Sequence, residues 1–123
     1  MARYLTYVAF GWLTLTGTLH FTIDVVSQHL RGKHPPGPDT TLYYGLHSAF
    51  ALSQVLFGLM CLWAARRDPA LLRDPAILLL STAGAAAWLA LTFYSMEYWE
   101  PKVNAGIFFA LLAVAAAVEH SRP

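Results

Sequence analysis

An all-α, four-helix transmembrane bundle with antiparallel up-down topology is the fold class this sequence predicts, on three observations. Four apolar runs, at residues 4–26, 42–65, 76–96 and 103–118, follow one another along a chain of 123 residues. Hydrophobic residues make up 57% of it and charged residues 12%, where a soluble domain carries roughly 25% charged, so lipid is the solvent this composition suits. Proline and glycine gather between the runs, where they end helices.

In hydrocarbon every backbone amide must be satisfied within its own segment, which makes helices of these runs. The first three reach the ~20 residues that cross ~30 Å of hydrocarbon; the fourth needs its flanks or a thinner local bilayer. The first run is longer than a secretion-signal core, lacks a clean small-residue cleavage site and precedes three more runs, so a retained span is expected. Residues 27–40 hold Arg31, Gly32, Lys33 and the stretch His34-Pro35-Pro36-Gly37-Pro38, a rigid surface loop. Residues 66–75 place Asp68 before Pro69 and Asp74 before Pro75, each a cap followed by a helical first turn, with Leu71 and Leu72 expected at the membrane interface. The link at 97–102 is tight and makes the last two helices antiparallel neighbours. The whole of 1–123 reads as one integral membrane domain.

With the amino terminus inside, Arg3, Arg66, Arg67, Arg73 and Arg122 fall on the inner side against Arg31, Lys33 and Lys102 outside. That predicts a multi-pass protein of a cell inner membrane or plasma membrane with both termini cytoplasmic. A formal charge of +1 offers no field for a phosphate backbone, which sets nucleic acid aside. The single cysteine, Cys61, excludes an intrachain disulfide and a paired redox motif. No glycine-rich phosphate cradle or G-x-S-x-G context is present, and the sequence calls for no cofactor.

The feature that needs partners is a stripe in the first run. Thr16, His20, Asp24 and Gln28 recur every fourth residue and fall near one helix face. Ionisable groups inside a span point to function by default. Counting ~1.5 Å per residue from the run midpoints, His20, His47, Thr92 and Asn104 all lie roughly 8–10 Å toward the outer side. Asp24 and Tyr43 sit one turn farther out, with Glu97 and Glu100 at the rim, while Gln54 shares the face of His47 nearer the centre. One polar layer thus collects a residue from each helix. The plainer reading of the same layer is hydrogen-bonded glue between helices.

Acid-base chemistry on a lipid-like substrate suits this set, because burial brings carboxylates and imidazoles toward a useful range near neutrality. Asp24 with His20 forms one couple and His47 the group across from it, as candidate catalytic residues. Tyr43, Gln54, Trp88, Thr92, Tyr94, Glu97 and Asn104 are the candidates for binding substrate or tuning the couple, the aromatic rings by shielding positive charge. A metal-dependent oxidoreductase is an alternative, since His20, Asp24 and His47 supply two imidazoles and a carboxylate. A second alternative is a lipid-binding protein or accessory subunit without turnover, its Ala-rich stretches at 83–87 and 113–117 offering smooth packing faces.

The segment Gly17-x-x-His20-Phe21 resembles the first helix of DoxX-like four-helix membrane proteins. Four helices with carboxylates and histidines gathered toward one end are similar to the EXPERA-type domain of sterol isomerases. That resemblance implies a lipid pocket between the helices, with acidic residues that shift a double bond; Asp24 and Glu97 or Glu100 would supply them here. The sequence departs from the pattern in carrying His47 where an acidic side chain is expected.

The function expected is therefore a small membrane enzyme isomerising or cyclising an isoprenoid- or sterol-like molecule by proton transfer in an outward-facing pocket. Its partners are membrane lipid or an isoprenoid-like small molecule, with a homo-oligomer or another membrane protein as further company.

Overall fold

The computed structural model describes residues 2–120; the side chains of Ala2, Arg3, Glu119 and His120 lie outside the described residues, as do Met1 and 121–123. Two of the arginines in the orientation argument, Arg3 and Arg122, are therefore not described. Every regular element among the described residues is helical. The first helix, Ala2–His20, continues without a break into a π-helical turn, Phe21–Ser27, and a last short piece, Gln28–Leu30. It stops at Gly32, whose φ of 60° lies in the left-handed region that glycine enters freely, and the Lys33 amide closes back on the Gln28 carbonyl at 3.2 Å.

The second helix, Pro38–Arg67, begins with proline in its first turn, where a missing amide costs nothing. Asp68 then accepts the Ala70 amide to start a 3₁₀ turn, Pro69–Arg73, and Asp74 accepts the Ala76 and Ile77 amides to start the third helix, Pro75–Ser95. Both Asp-Pro pairs cap as their spacing implies. The fourth helix, Glu100–His120, follows after four residues.

The four long helices form an antiparallel up-down transmembrane bundle. Three of them, Pro38–Arg67, Pro75–Ser95 and Glu100–Val118, are long and apolar enough to cross a bilayer. The first helix, expected as a span, is not among them: its α-helical part ends at the π turn after His20, and it carries four threonines and His20. Those hydroxyls are not left bare. Thr14, Thr16 and Thr18 donate to the carbonyls four residues back at 2.8–2.9 Å, which lets a polar side chain sit in an apolar setting.

The first helix is also the inner member, packed on the second along one side and on the fourth along the other, while the third leans on the fourth. Two glycines set the first approach. A Cβ at Gly58 would run into the Thr14 hydroxyl and the Phe10 carbonyl, and one at Gly17 would sit 3.0 Å from the Ala51 carbonyl. Phe10, Leu13, Phe108 and Leu112 fill the centre, and Trp88 bridges to it from the third helix, its ring between Phe57 and Phe108 and its Nε1 donating to Ser53 Oγ at 3.1 Å. Leu72 is buried in the core beneath the second connection, so of the interface pair only Leu71 is exposed. The outward faces stay apolar, with Leu79 and Tyr94 among the exposed residues, as a lipid environment demands.

Candidate functional site

The stripe on the first helix meets the second helix at one point. His20 Nε2 lies 2.9 Å from His47 Nδ1, with the two rings stacked at 5.1 Å and both side chains buried. On the other edge of its ring, His20 Nδ1 lies 3.1 Å from Asp24 Oδ2. The second carboxylate oxygen accepts from Gln28 Nε2 at 3.1 Å. Gln28 Oε1 in turn accepts the Tyr43 hydroxyl at 3.2 Å and His34 Nε2 at 2.8 Å. A single chain of hydrogen bonds therefore runs from the loop after the first helix, through Gln28, Asp24 and His20, to His47.

Why the sequence folds this way is local. The π turn begins immediately after His20 and contains Asp24, and such turns are rare and concentrate at functional sites. Gly17, one turn inward, lets the second helix approach closely enough for two imidazoles to bond directly. Phe50 closes the floor against the His20 ring at 5.1 Å, and the Tyr43 ring lies over His47 at 4.2 Å.

Chemistry fixes the protons in part. Asp24 accepts from His20 Nδ1, so a neutral His20 has a bare Nε2, and His47 must then donate from Nδ1. His47 Nε2 is left with a lone pair. A proton taken up there releases the Nδ1 proton to His20 Nε2, and the cation comes to rest beside the Asp24 carboxylate. The arrangement can thus move charge over two rings with one hydrogen-bond shift.

Beside the chain, between the first helix and the start of the fourth, is a cleft of about 330 Å³. His20, Asp24, Tyr98, Glu100 and Asn104 supply its polar wall, and the half-exposed Leu19 and Ile23 its apolar edge. The Tyr98 ring is parallel to His47 at 6.3 Å, and its hydroxyl lies 3.5 Å from His47 Nδ1. Burial, then the charge of Asp24, raise the Tyr98 hydroxyl well above the usual phenol range and keep it a proton-bearing donor.

Of the residues singled out from the sequence, His20, Asp24, His47, Tyr43 and Asn104 gather here. Thr16 also lines the cleft, though its hydroxyl is spent on the Trp12 carbonyl at 2.9 Å. Gln54 is buried one step inward, its Cβ against Gly17, and takes no part in the chain. Others lie elsewhere. Thr92 is buried against the bundle with its hydroxyl on the Leu89 carbonyl, and Trp88 belongs to the central packing. Tyr94 faces outward, because the third helix packs on the fourth through its Ser81, Ala85 and Thr92 face, and Glu97 is exposed in the link that follows. Tyr98 and His34 were not among the candidates. Both stand in links, whose direction no helical period reveals.

The metal alternative needs three donors to converge. Asp24 and His47 bind opposite edges of the His20 ring, so the three stand in series, and among the described residues no cluster of three ligating side chains forms. No protein-family model, curated protein or solved structure matches the chain.

Proposed function

We propose that this protein is a membrane enzyme that moves a proton on a hydrophobic substrate of isoprenoid or sterol-like size, most simply an isomerase, with the cleft beside Asp24 as its site. The observation that carries this is the Asp24–His20–His47 chain, its two imidazoles buried and its His20–Asp24 end set in the wall of that cleft. A carboxylate held on both oxygens, backed by two imidazoles able to take up charge, is suited to accept and return one proton in a place water does not dominate. The cleft, at about 330 Å³, is at the small end for ligand sites, so it takes the reacting end of a molecule whose remainder lies along Leu19 and Ile23 in the lipid. In the sequence, five arginines (Arg3, Arg66, Arg67, Arg73 and Arg122) against Arg31, Lys33 and Lys102 favour a site on the outer side, with both termini cytoplasmic.

Proton return from solvent leaves a label. Membranes containing the protein, incubated in heavy water, should build carbon-bound deuterium into one class of lipid, read by mass spectrometry of the extract. Asp24→Asn should abolish the label while folded protein persists. Equal labelling with and without the protein would sink the reading and leave a lipid-binding or accessory role for the same cleft.

A further inference from the structure

The cleft pairs its carboxylate with a neutral hydroxyl. Asp24 and Tyr98 both line it, and Asn104 adds an amide beside them. Tyr98 stands in the link between the last two helices, its ring parallel to His47 at 6.3 Å, and partial burial there with Asp24 beside it keeps its hydroxyl protonated. A phenol held in that form cannot protonate a plain carbon–carbon double bond, which demands a strong acid. It can stabilise negative charge as it develops on an oxygen. A base and a neutral donor side by side in one polar wall, the hydroxyl bonded to Asp24 until a substrate oxygen takes its place, meet the demand made by proton abstraction next to a carbonyl.

We infer that the substrate is a carbonyl-bearing lipid, a β,γ-unsaturated ketone, that Asp24 removes the proton from its α-carbon, and that Tyr98 is a catalytic residue holding the enolate oxygen. This rests on the proton-transfer reading of the cleft and narrows it to one substrate class. In the first step the C–H bond breaks, its proton goes to Asp24 and its electron pair forms a new carbon–carbon double bond. The carbonyl π electrons move onto oxygen, where Tyr98 and Asn104 donate to them. In the second step the charge on oxygen re-forms the carbonyl and the γ-carbon takes the proton back from Asp24. The double bond ends in conjugation with the carbonyl, with no oxidant, reductant or water consumed. His20 and Gln28 are positioning residues, holding one carboxylate oxygen each.

Purified protein in phosphatidylcholine nanodiscs is given two probes: a β,γ-unsaturated cyclic ketone bearing an isoprenyl tail, and the matching unconjugated diene without the oxygen. Conjugation is followed by ultraviolet absorption. The ketone should be isomerised and the diene left alone. Tyr98→Phe should lower kcat on the order of 10²–10³-fold with KM little changed. β-Naphthol, a planar enolate mimic, should bind the native protein at least roughly tenfold more tightly than the variant, a readout that does not depend on turnover. Turnover of the diene but not the ketone would overturn the carbonyl assignment and leave proton transfer standing. Turnover of neither would overturn both, and a Tyr98→Phe variant as fast as native, with unchanged naphthol affinity, would remove Tyr98 from the chemistry.

Discussion

His20 Nε2 and His47 Nδ1 face each other across 2.9 Å, a gap that holds one proton and no more. Because His20 gives its other ring proton to Asp24, the proton of a neutral pair belongs to His47 Nδ1. Nitrogen-15 spectra of selectively labelled protein should report His20 as the Nδ1–H tautomer and His47 likewise, with a coupling across the shared bond. A neutral His47 protonated on Nε2 beside a neutral His20 would contradict the chain.

Gln28 ties the surface loop to the site, since its carbonyl oxygen holds both His34 and Tyr43 while its amide holds Asp24. Gln28→Leu removes all three bonds at once. Amide exchange at Arg31, Gly32, Lys33, His34 and Gly37 should then accelerate, with exchange in the fourth helix unchanged. Unaltered loop protection would mean that the stacking of His34 on Tyr43, at 4.3 Å, holds the loop alone.

Gly58 is where the first two helices press together, and a methyl group there meets the Thr14 hydroxyl and the Phe10 backbone. Gly58→Ala should cost about 1–3 kcal/mol, seen as a lower Tm. Gly11→Ala is the matched control: nothing lies within 4 Å of its Cβ position. It should be neutral or gain up to about 1 kcal/mol from helix propensity.

Ser81 is fully buried where the third helix packs on the fourth, and among the described residues its Oγ is the buried side-chain polar atom without a hydrogen-bond partner. Ser81→Ala removes that burden and should raise stability by about 1 kcal/mol, measured as thermal or denaturant midpoint. A loss of stability would show that the hydroxyl is satisfied in the membrane.

Tyr98 gives the protein an alkaline limit. Burial and Asp24 raise its hydroxyl in the folded state above its unfolded value near 10. The folded chain therefore keeps a proton that the unfolded chain gives up. The stability this contributes is complete below the unfolded value and is lost as pH climbs through the folded one. Melting curves taken above pH 9 should fall less steeply for Tyr98→Phe than for the native protein; parallel curves would assign the alkaline limit to another group.

Much of this architecture was legible in the sequence because lipid leaves few choices. Apolar runs must be helices, Asp-Pro pairs must cap, and the six-residue link had to bring the last two helices side by side. The His20–Asp24–Gln28 stripe could also be read, since it depends only on local winding. What could not be read was azimuth on the other helices. A depth count put Thr92 level with His20, yet nothing in the apolar third run says which way Thr92 faces, and the small Ser81, Ala85 and Thr92 turn to the fourth helix for close packing. Tyr98 eluded the count for a related reason: it is in a link, and its direction is set by the two helices it joins.

The wide turn after His20 has a geometric effect on its neighbours. Four residues of ordinary winding overshoot a full revolution by about 40°, so a file of side chains spaced by four slides steadily around the rod. A looser coil, with its amides reaching five residues back, undershoots instead. From Thr16 to His20 the file drifts one way, and across Phe21–Ser27 it drifts back. Asp24 consequently comes back nearly in line with Thr16, and the irregular backbone holds the file from Thr16 to Gln28 within a narrower arc than regular winding would.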